Sequence, residues 1–176
     1  MKGLLNSTPG GGDLPDYYLG YVERLGPVSD ILVALEEHGH ALVQALADLA
    51  PEQETHRYAE GKWSVREVVG HLMDTERVFQ LRALWFARAD PQPLPGFDEN
   101  AWAGASHAGE QSMGELLEEY VALRRSTVSM FRNLAEEELD RTGVANGRSF
   151  RVAALPWFVL GHEHHHREIL RDRYGV

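Results

Sequence analysis

Apolar residues recur every three to four positions over four stretches of the chain, the period that places them along one face of an α-helix. The four predicted helices begin near Asp30, Ser64, Ser112 and Ser149, with Ser149 as the expected cap of the last one. None of the remaining segments shows a convincing run of the alternation typical of a β-strand. The pattern therefore predicts an all-α fold, a bundle of four amphipathic helices.

The second and third helices have the clearest beginnings. Ser64 with Glu67, and Ser112 with Glu115, match the capping box, in which a hydroxyl and a carboxylate satisfy free N–H groups of the first turn. Pro156 falls inside the predicted fourth helix, where a proline removes one backbone hydrogen bond. We therefore expect that helix to be kinked shortly before its histidine-rich end.

The connecting segments set the expected domain organisation. Residues 1–13 are rich in glycine and predict a flexible lead-in, and residues 14–176 predict a single domain. Residues 14–26 carry several aromatic side chains and are expected to lie across the bundle. Residues 89–111 form a long connection that contains three prolines. Because a link of this length in a compact domain is usually functional or disordered, we interpret it as a packed crossover that carries the chain from one end of the bundle to the other.

Four of the nine histidines lie between Gly161 and His166. On a helix, His162 and His166 lie about 40° apart, with their Cβ atoms ~5–6 Å from each other, so both imidazoles can bind one metal ion. The motif is also formally H-E-x-x-H, in which Glu163 would be the general base of a metalloprotease. A simpler interpretation is that the histidines stabilise the C-terminal end of a helix.

A third ligand has to come from upstream, because only ten residues follow His166. His71 lies at the edge of the apolar stripe of the second helix and is the natural candidate. Asp74, one turn later, could accept the other N–H of that imidazole, or be an ordinary solvated carboxylate. Arg82 shares the inner half of this helix, where it could hold an anionic group of a substrate, pair with Glu76, or extend to solvent.

Three imidazole ligands leave coordination positions open to water or substrate, which is typical of reactive rather than structural sites. Imidazole binds zinc, nickel, copper and iron alike, so the residues do not identify the divalent metal.

Composition excludes several classes of function. The chain has 176 residues, a net charge of −10 and no cysteine. Without cysteine there is neither a disulfide nor a protein thiolate nucleophile, which fits a cytoplasmic protein. The acidic charge argues against a nucleic-acid partner, and the absence of a long apolar run argues against a membrane span. A small molecule is the expected partner.

Four segments carry a resemblance to a known family. Residues 62–77 (KWSVREVVGHLMDTER), residues 94–98 (LPGFD) with 145–147 (ANG), and residues 161–166 (GHEHHH) follow one another as they do in DinB-like proteins. The resemblance covers about residues 14–174. It implies an up-up-down-down four-helix bundle, a homodimer in many members, and a divalent metal bound by His71, His162 and His166. His165 corresponds to a neighbour of the last ligand.

The resemblance also implies an activity. Family members with an assigned function include bacillithiol transferases and other enzymes that join a low-molecular-weight thiol to an electrophile, so thiol-dependent S-transfer is the expected reaction. A metal cation deprotonates a coordinated thiol, and the thiolate is the nucleophile. Hydrolysis by metal-activated water, with Glu163 or Asp74 as the base, is the alternative. A non-catalytic metal-binding or stress-response protein is a third hypothesis.

Overall fold

The structure is a computed structural model that describes residues 3–176. Its four long helices are α2 (Ile31–Leu46), α4 (Val65–Ala87), α6 (Met113–Asn133) and α8 (Leu155–Ile169). Four short helices lie between them, α1 (Asp16–Val22), α3 (Pro51–Glu54), α5 (Glu99–Ala105) and α7 (Glu136–Asp140), and strands β1 (Thr142–Ala145) and β2 (Arg148–Arg151) form an antiparallel hairpin. The last turn, Leu170–Tyr174, is a π-helix. The predicted four-helix bundle is confirmed.

The predicted beginnings of α2, α4 and α6 are confirmed as well. Ser64 and Glu67 form a reciprocal capping box at the start of α4, with the Ser64 N–H donating to the Glu67 carboxylate at 2.6 Å. Ser112 and Glu115 do the same for α6. Asp30 caps α2 by accepting hydrogen bonds from two backbone N–H groups of the first turn. These side chains satisfy donors that a helix start would otherwise leave unpaired.

The directions of the four helices differ from the expected up-up-down-down order. Val43 lines a surface pocket together with Leu117, whereas Glu36 forms an ion pair with Arg132, so α2 and α6 are antiparallel. Arg88 at the end of α4 meets Glu138 just beyond the end of α6, so these two helices are parallel. Phe79 of α4 packs against Phe158 of α8, and His71 against His166, so α8 is antiparallel to α4. The four long helices therefore run up, down, down and up.

The connections explain this order. The link between α2 and α4, residues 47–64, is short and joins two helix ends at the same end of the bundle, which makes these helices antiparallel. Residues 88–112 then carry the chain back along the bundle before α6 begins, as was predicted for a packed crossover. This return makes α6 parallel to α4. The crossover contains α5 and a short 3-10 turn at residues 108–110. An end-to-end crossover is therefore incompatible with the up-up-down-down order.

The β-hairpin was not predicted, and it changes the start of the last helix. Asn146 and Gly147 form its turn, both with positive φ (50° and 68°), as a tight two-residue hairpin turn requires. Ser149 is part of β2 and does not cap a helix. Pro156 lies in the first turn of α8, where its missing N–H needs no partner. The expected kink at Pro156 is therefore wrong.

The segment expected to be a flexible lead-in packs against the bundle where the structure describes it. Leu5 is buried, and its carbonyl accepts a hydrogen bond of 2.8 Å from the Trp157 indole N–H. Asn6 accepts a hydrogen bond from the Ile31 backbone N–H. Residues 3–13 thus cover the end of the bundle at which α2 and α8 begin.

Two buried apolar clusters fill the bundle, one at each end. The first is centred on aromatic residues of α4 and α8, and the second on aliphatic residues of α2, α4 and α6. Between them, at mid-height, lie polar side chains of α4, α6 and α8. No helix within residues 3–176 combines the length and the apolar character needed to cross a membrane.

Candidate metal centre

Three histidines from two helices converge inside the bundle. His71 lies on α4, and His162 and His166 lie one turn apart on α8, with one ring nitrogen from each within 4.8 Å of the others. The Nε2 atoms of His71 and His162 are 3.1 Å apart. Because α4 and α8 are antiparallel, the histidines face each other at the same height. These are the three ligands that the sequence analysis selected.

Aromatic side chains surround the histidines. The Trp63 ring lies 4.6 Å from the His71 ring, and the Phe158 ring stacks on His162 at 5.4 Å. Tyr21 of α1 approaches His162 edge-on at 5.7 Å. This close passage of α1 requires Gly161, because a Cβ atom there would lie 2.7 Å from the Tyr21 carbonyl oxygen. The glycine of the GHEHHH segment thus closes one wall of the site.

Burial keeps all three imidazoles neutral at physiological pH. Desolvation lowers the pKa of His71 to about 4. Burial, with smaller contributions from His71 and His165, lowers the pKa of His166 to about 3, and burial also holds the pKa of His162 well below its ordinary value. A neutral imidazole has a free lone pair, which is the form that binds a metal ion.

These shifts predict that the metal-free protein loses stability as the pH falls from about 6.5 to about 4. In this window the unfolded chain protonates His71 and His166 and the folded chain does not, so protonation favours unfolding; above pH 6.5 the term vanishes. Each histidine should lower the free energy of unfolding by about 1.4 kcal/mol per pH unit. Urea unfolding in the presence of a chelator measures this slope. A His71→Asn, His166→Asn double variant should lose most of it, and an unchanged slope would refute the assignment.

The donor set fits a divalent transition-metal ion. Nitrogen atoms that share a tetrahedral zinc ion at ~2.0–2.1 Å lie about 3.3 Å from each other, close to the 3.1 Å between His71 and His162. Within residues 3–176 no carboxylate belongs to this group of ligands. Three neutral nitrogen donors leave at least one coordination position for a substrate.

Glu163 is not placed as the general base of an H-E-x-x-H site. Its side chain is 1% exposed, and its Oε2 accepts a hydrogen bond of 2.5 Å from the Tyr120 hydroxyl and a charge-assisted one from Arg124. Glu163 follows His162 directly, so on α8 it points about 100° away from the ligand face, towards α6. Its carboxylate serves an internal ion pair.

Arg124 and Tyr120 were missed by sequence reasoning. Arg124 of α6 is 5% exposed. It donates hydrogen bonds to Glu76 at 2.9–3.2 Å and also donates to Glu163. A further bond of 2.7 Å goes to the Leu35 carbonyl. One guanidinium thus joins α2, α4, α6 and α8 in the centre of the bundle. The only sequence signal was a charged residue at an apolar position of the α6 stripe.

Asp74 and Arg82 have different surroundings from those predicted. Asp74 is partly buried and lies 3.6 Å from Arg77, and it has no hydrogen bond with His71. Arg82 does not pair with Glu76, which belongs to Arg124, and it does not extend to solvent, because it is 2% exposed. Arg82 instead lines the same cavity as His162, as the substrate-binding interpretation requires.

His165 lies beside the ligand group without joining it. Its ring contacts Tyr21 at 5.2 Å, and its Nδ1 atom lies 3.3 Å from the Arg24 guanidinium. This position agrees with the role of a neighbour that the resemblance implied.

Comparison with known proteins identifies relatives with names that refer to a metal. A protein of Oceanobacillus iheyensis named "Putative metal-dependent hydrolase" is 29% identical over 147 residues, which cover 79% of this chain and 80% of that protein. A Geobacillus thermodenitrificans protein with the same name is 28% identical over 160 residues, 86% of this chain and 88% of its own length.

A solved structure shares the architecture. YfiT from Bacillus subtilis, described as "a probable metal-dependent hydrolase with an unusual four-helix bundle topology", superposes with a TM-score of 0.71 over 94% of this chain and 93% of its own, at 20% identity. The model of the DinB superfamily matches residues 34–170, which include both helices that carry the three histidines. The chain belongs to the DinB superfamily.

Proposed function

We propose that the protein is a divalent-metal-dependent enzyme that transfers a low-molecular-weight thiol to a small electrophile. The convergence of His71, His162 and His166 as three neutral, desolvated nitrogen donors is the observation that carries this proposal. When bound, the cation would supply Lewis acidity, which lowers the pKa of a coordinated thiol or water.

The protein's own side chains prepare the site in two ways. The histidines stay unprotonated because protonation would place a charge in a desolvated pocket, so they are ready to bind without first losing a proton. Trp63, Tyr21 and Phe158 cover the histidines and limit the access of water, which strengthens electrostatic interactions inside the site.

The positions of the carboxylates favour a thiol over water as the nucleophile. A hydrolase that activates water at a metal commonly uses a carboxylate as general base, as in H-E-x-x-H enzymes. Here Glu163 is held by Tyr120 and Arg124, and Asp74 lies beside Arg77. A thiol needs no such base, because its ordinary pKa of about 8.5 is already close to neutrality.

Metal-dependent hydrolysis is the second candidate, and the printed names of the related proteins support it. In that case the open coordination position would take water, and a substrate such as an ester or amide would bind beside it. The three histidines would serve both reactions, so the nucleophile distinguishes them.

Activity assays with zinc-loaded and nickel-loaded protein test the two reactions side by side. We expect a chloronitroaromatic or epoxide electrophile to be consumed only when a low-molecular-weight thiol is present, at least about tenfold faster than with metal-free protein. Cobalt-loaded protein should show sulfur-to-metal charge-transfer absorption on adding thiol. A His164→Ala variant, which keeps all three ligands, should behave as wild type. Hydrolysis of esters without thiol, and no thiol-induced absorption, would support hydrolysis and overturn thiol transfer.

A further inference from the structure

Two arginines are buried in the bundle, and only one of them has carboxylate partners. Arg124 is 5% exposed and is paired with Glu76 and Glu163. Arg82 is 2% exposed, and within residues 3–176 it forms no salt bridge. Its Nε and Nη1 atoms are buried and have no hydrogen-bond partner. The protein therefore holds a desolvated cation with two nitrogen donors that are unused.

A buried hydroxyl lies on the same face of α4. Thr75 is one helical turn after His71 and two turns before Arg82, so the three side chains lie along one stripe of the helix. Thr75 is 3% exposed, and its Oγ1 atom also has no partner. Polar atoms that are both buried and unpaired are rare in folded proteins.

Both side chains line a cavity that includes the metal ligand His162. The cavity is small, about 70 Å³, and partly open to solvent. Tyr18, Phe79 and Phe158 form its inner wall. Thr75 and Arg82 thus line a space that adjoins His162.

The outer wall explains two of the segments that carried the family resemblance. Gly96 and Phe97 of the crossover line the cavity together with Asn146 of the hairpin turn. The two segments are joined by backbone hydrogen bonds between Leu94 and the hairpin, and a Cβ atom on Gly96 would lie 2.6 Å from the Asn146 side chain. The crossover and the hairpin therefore close the cavity above Arg82.

The surroundings of Arg82 compensate only part of its charge. Its guanidinium lies 4.6 Å from the Phe79 ring centre and 5.3 Å from that of Phe150, which gives weak cation–π attraction. Burial lowers the pKa of Arg82, while Tyr18 raises it through a Coulomb interaction and a side-chain hydrogen bond. A guanidinium stays protonated in proteins, so the remaining charge favours an anion in the cavity.

We propose that Arg82 and Thr75 bind the carboxylate of a small substrate whose reacting group reaches the metal at His71, His162 and His166. The presence of a metal at the three histidines rests on the proposed function. The binding of a carboxylate by Arg82 and Thr75 does not depend on it. Arg82 is the only basic side chain that lines the cavity among the described residues, and Glu99 lies at its rim. A single cation beside an acidic rim matches a monoanionic carboxylate better than a dianionic phosphate.

The competing explanation is internal. Glu99 is exposed and lines the same cavity, so its side chain could turn inwards and pair with Arg82 in place of a substrate. A Glu99→Gln variant separates the two explanations. If Glu99 were the partner, its removal would free Arg82 and strengthen carboxylate binding at least about tenfold. If a substrate is the partner, the affinity of the variant for carboxylates should stay within about threefold of that of wild type. The small change arises because the variant loses a distant negative charge that repels the carboxylate weakly.

Nuclear magnetic resonance titration tests the site on the full chain, with and without zinc. Propionate and its neutral isostere propionamide are the probes. Affinities are read in every variant from the backbone amide resonances of residues that line the cavity, such as Thr75 and Phe97. In protein that keeps Arg82, its Nε–H resonance, identified by its loss in Arg82→Met, is a second readout. We expect propionate to bind at least about tenfold more tightly than propionamide. The preference should vanish in Arg82→Met, weaken in Thr75→Val, and persist in Arg88→Gln, which removes an exposed arginine from the end of the same helix.

The metal is tested separately by zinc content and by mercaptan probes. In zinc-loaded protein, 3-mercaptopropionate should bind more tightly than 2-mercaptoethanol. If the affinity for 3-mercaptopropionate also exceeds that for propionate, and only when zinc is bound, the carboxylate belongs to the thiol substrate. If the two affinities are equal, the carboxylate belongs to the other reactant. Absence of zinc binding would refute the proposed function and leave the propionate result valid. Equal affinity for propionate and propionamide, or a preference that survives Arg82→Met, would overturn the carboxylate site.

Discussion

Replacing Arg124 by methionine is expected to lower the free energy of unfolding by about 3–5 kcal/mol. The substitution keeps most of the side-chain volume but leaves Glu76 and Glu163 buried side by side without a cation. Both carboxylates are at most 2% exposed, so water cannot replace the lost partner. The Leu35 carbonyl also loses its hydrogen bond from the guanidinium. Each of these groups was desolvated on folding, and the variant removes the compensation.

The matched control is Arg82→Met, which removes the other buried arginine. Because Arg82 has no carboxylate partner, its loss leaves no acidic group unpaired, and the metal-free variant should be as stable as wild type or more stable. Equilibrium urea unfolding of both variants measures the difference. Equal destabilisation by the two substitutions would show that Arg82 has a structural role of the same kind as Arg124.

Replacing His71 or His166 by alanine is expected to reduce zinc affinity by more than about 100-fold, the upper range found for residues that merely support a ligand. Each substitution removes one of three nitrogen donors and leaves a site with two. In wild-type protein, free zinc at about 100 times its dissociation constant should add about 2.7 kcal/mol to the free energy of unfolding. Both variants should lose this gain.

Elemental analysis of untagged protein, with thermal unfolding in zinc and in chelator, measures these effects. His164→Ala is the control, because it removes an imidazole from the same segment while keeping the three ligands. Its zinc content and its zinc-dependent stabilisation should equal those of wild type. Equal loss of zinc in His164→Ala and His166→Ala would indicate binding to the histidine-rich segment as a whole, and not to the centre between α4 and α8.

The sequence alone determined the features that depend on nearest neighbours along a helix. The helical period of the apolar residues predicted four helices, and the capping boxes predicted the starts of α4 and α6. Both signals act within a few residues of the chain. The spacing of His162 and His166 placed them on one face for the same reason. Asn146-Gly147 gave a turn correctly, but the strands on either side, at residues 142–145 and 148–151, are too short to show alternation.

Other predictions failed where the outcome depends on the exact start of an element. Pro156 was expected to kink a helix that begins at Ser149. The hairpin instead occupies those residues, and α8 starts at Leu155, so the same proline lies where its fixed φ suits a helix. A shift of six residues in the helix start thus reverses the expected effect of the proline.

Only the tertiary structure decided which charged side chains are partners. Glu163 follows a metal ligand in sequence, yet it binds Tyr120 and Arg124 of another helix. A pair with Glu76, six residues earlier, was one interpretation of Arg82, but Arg124 holds that carboxylate. Coulomb and hydrogen-bond energies depend on distances between helices, which are set by helix directions and crossings. A local sequence pattern contains neither, so the ligands were predictable from the sequence and their buried ionic surroundings were not.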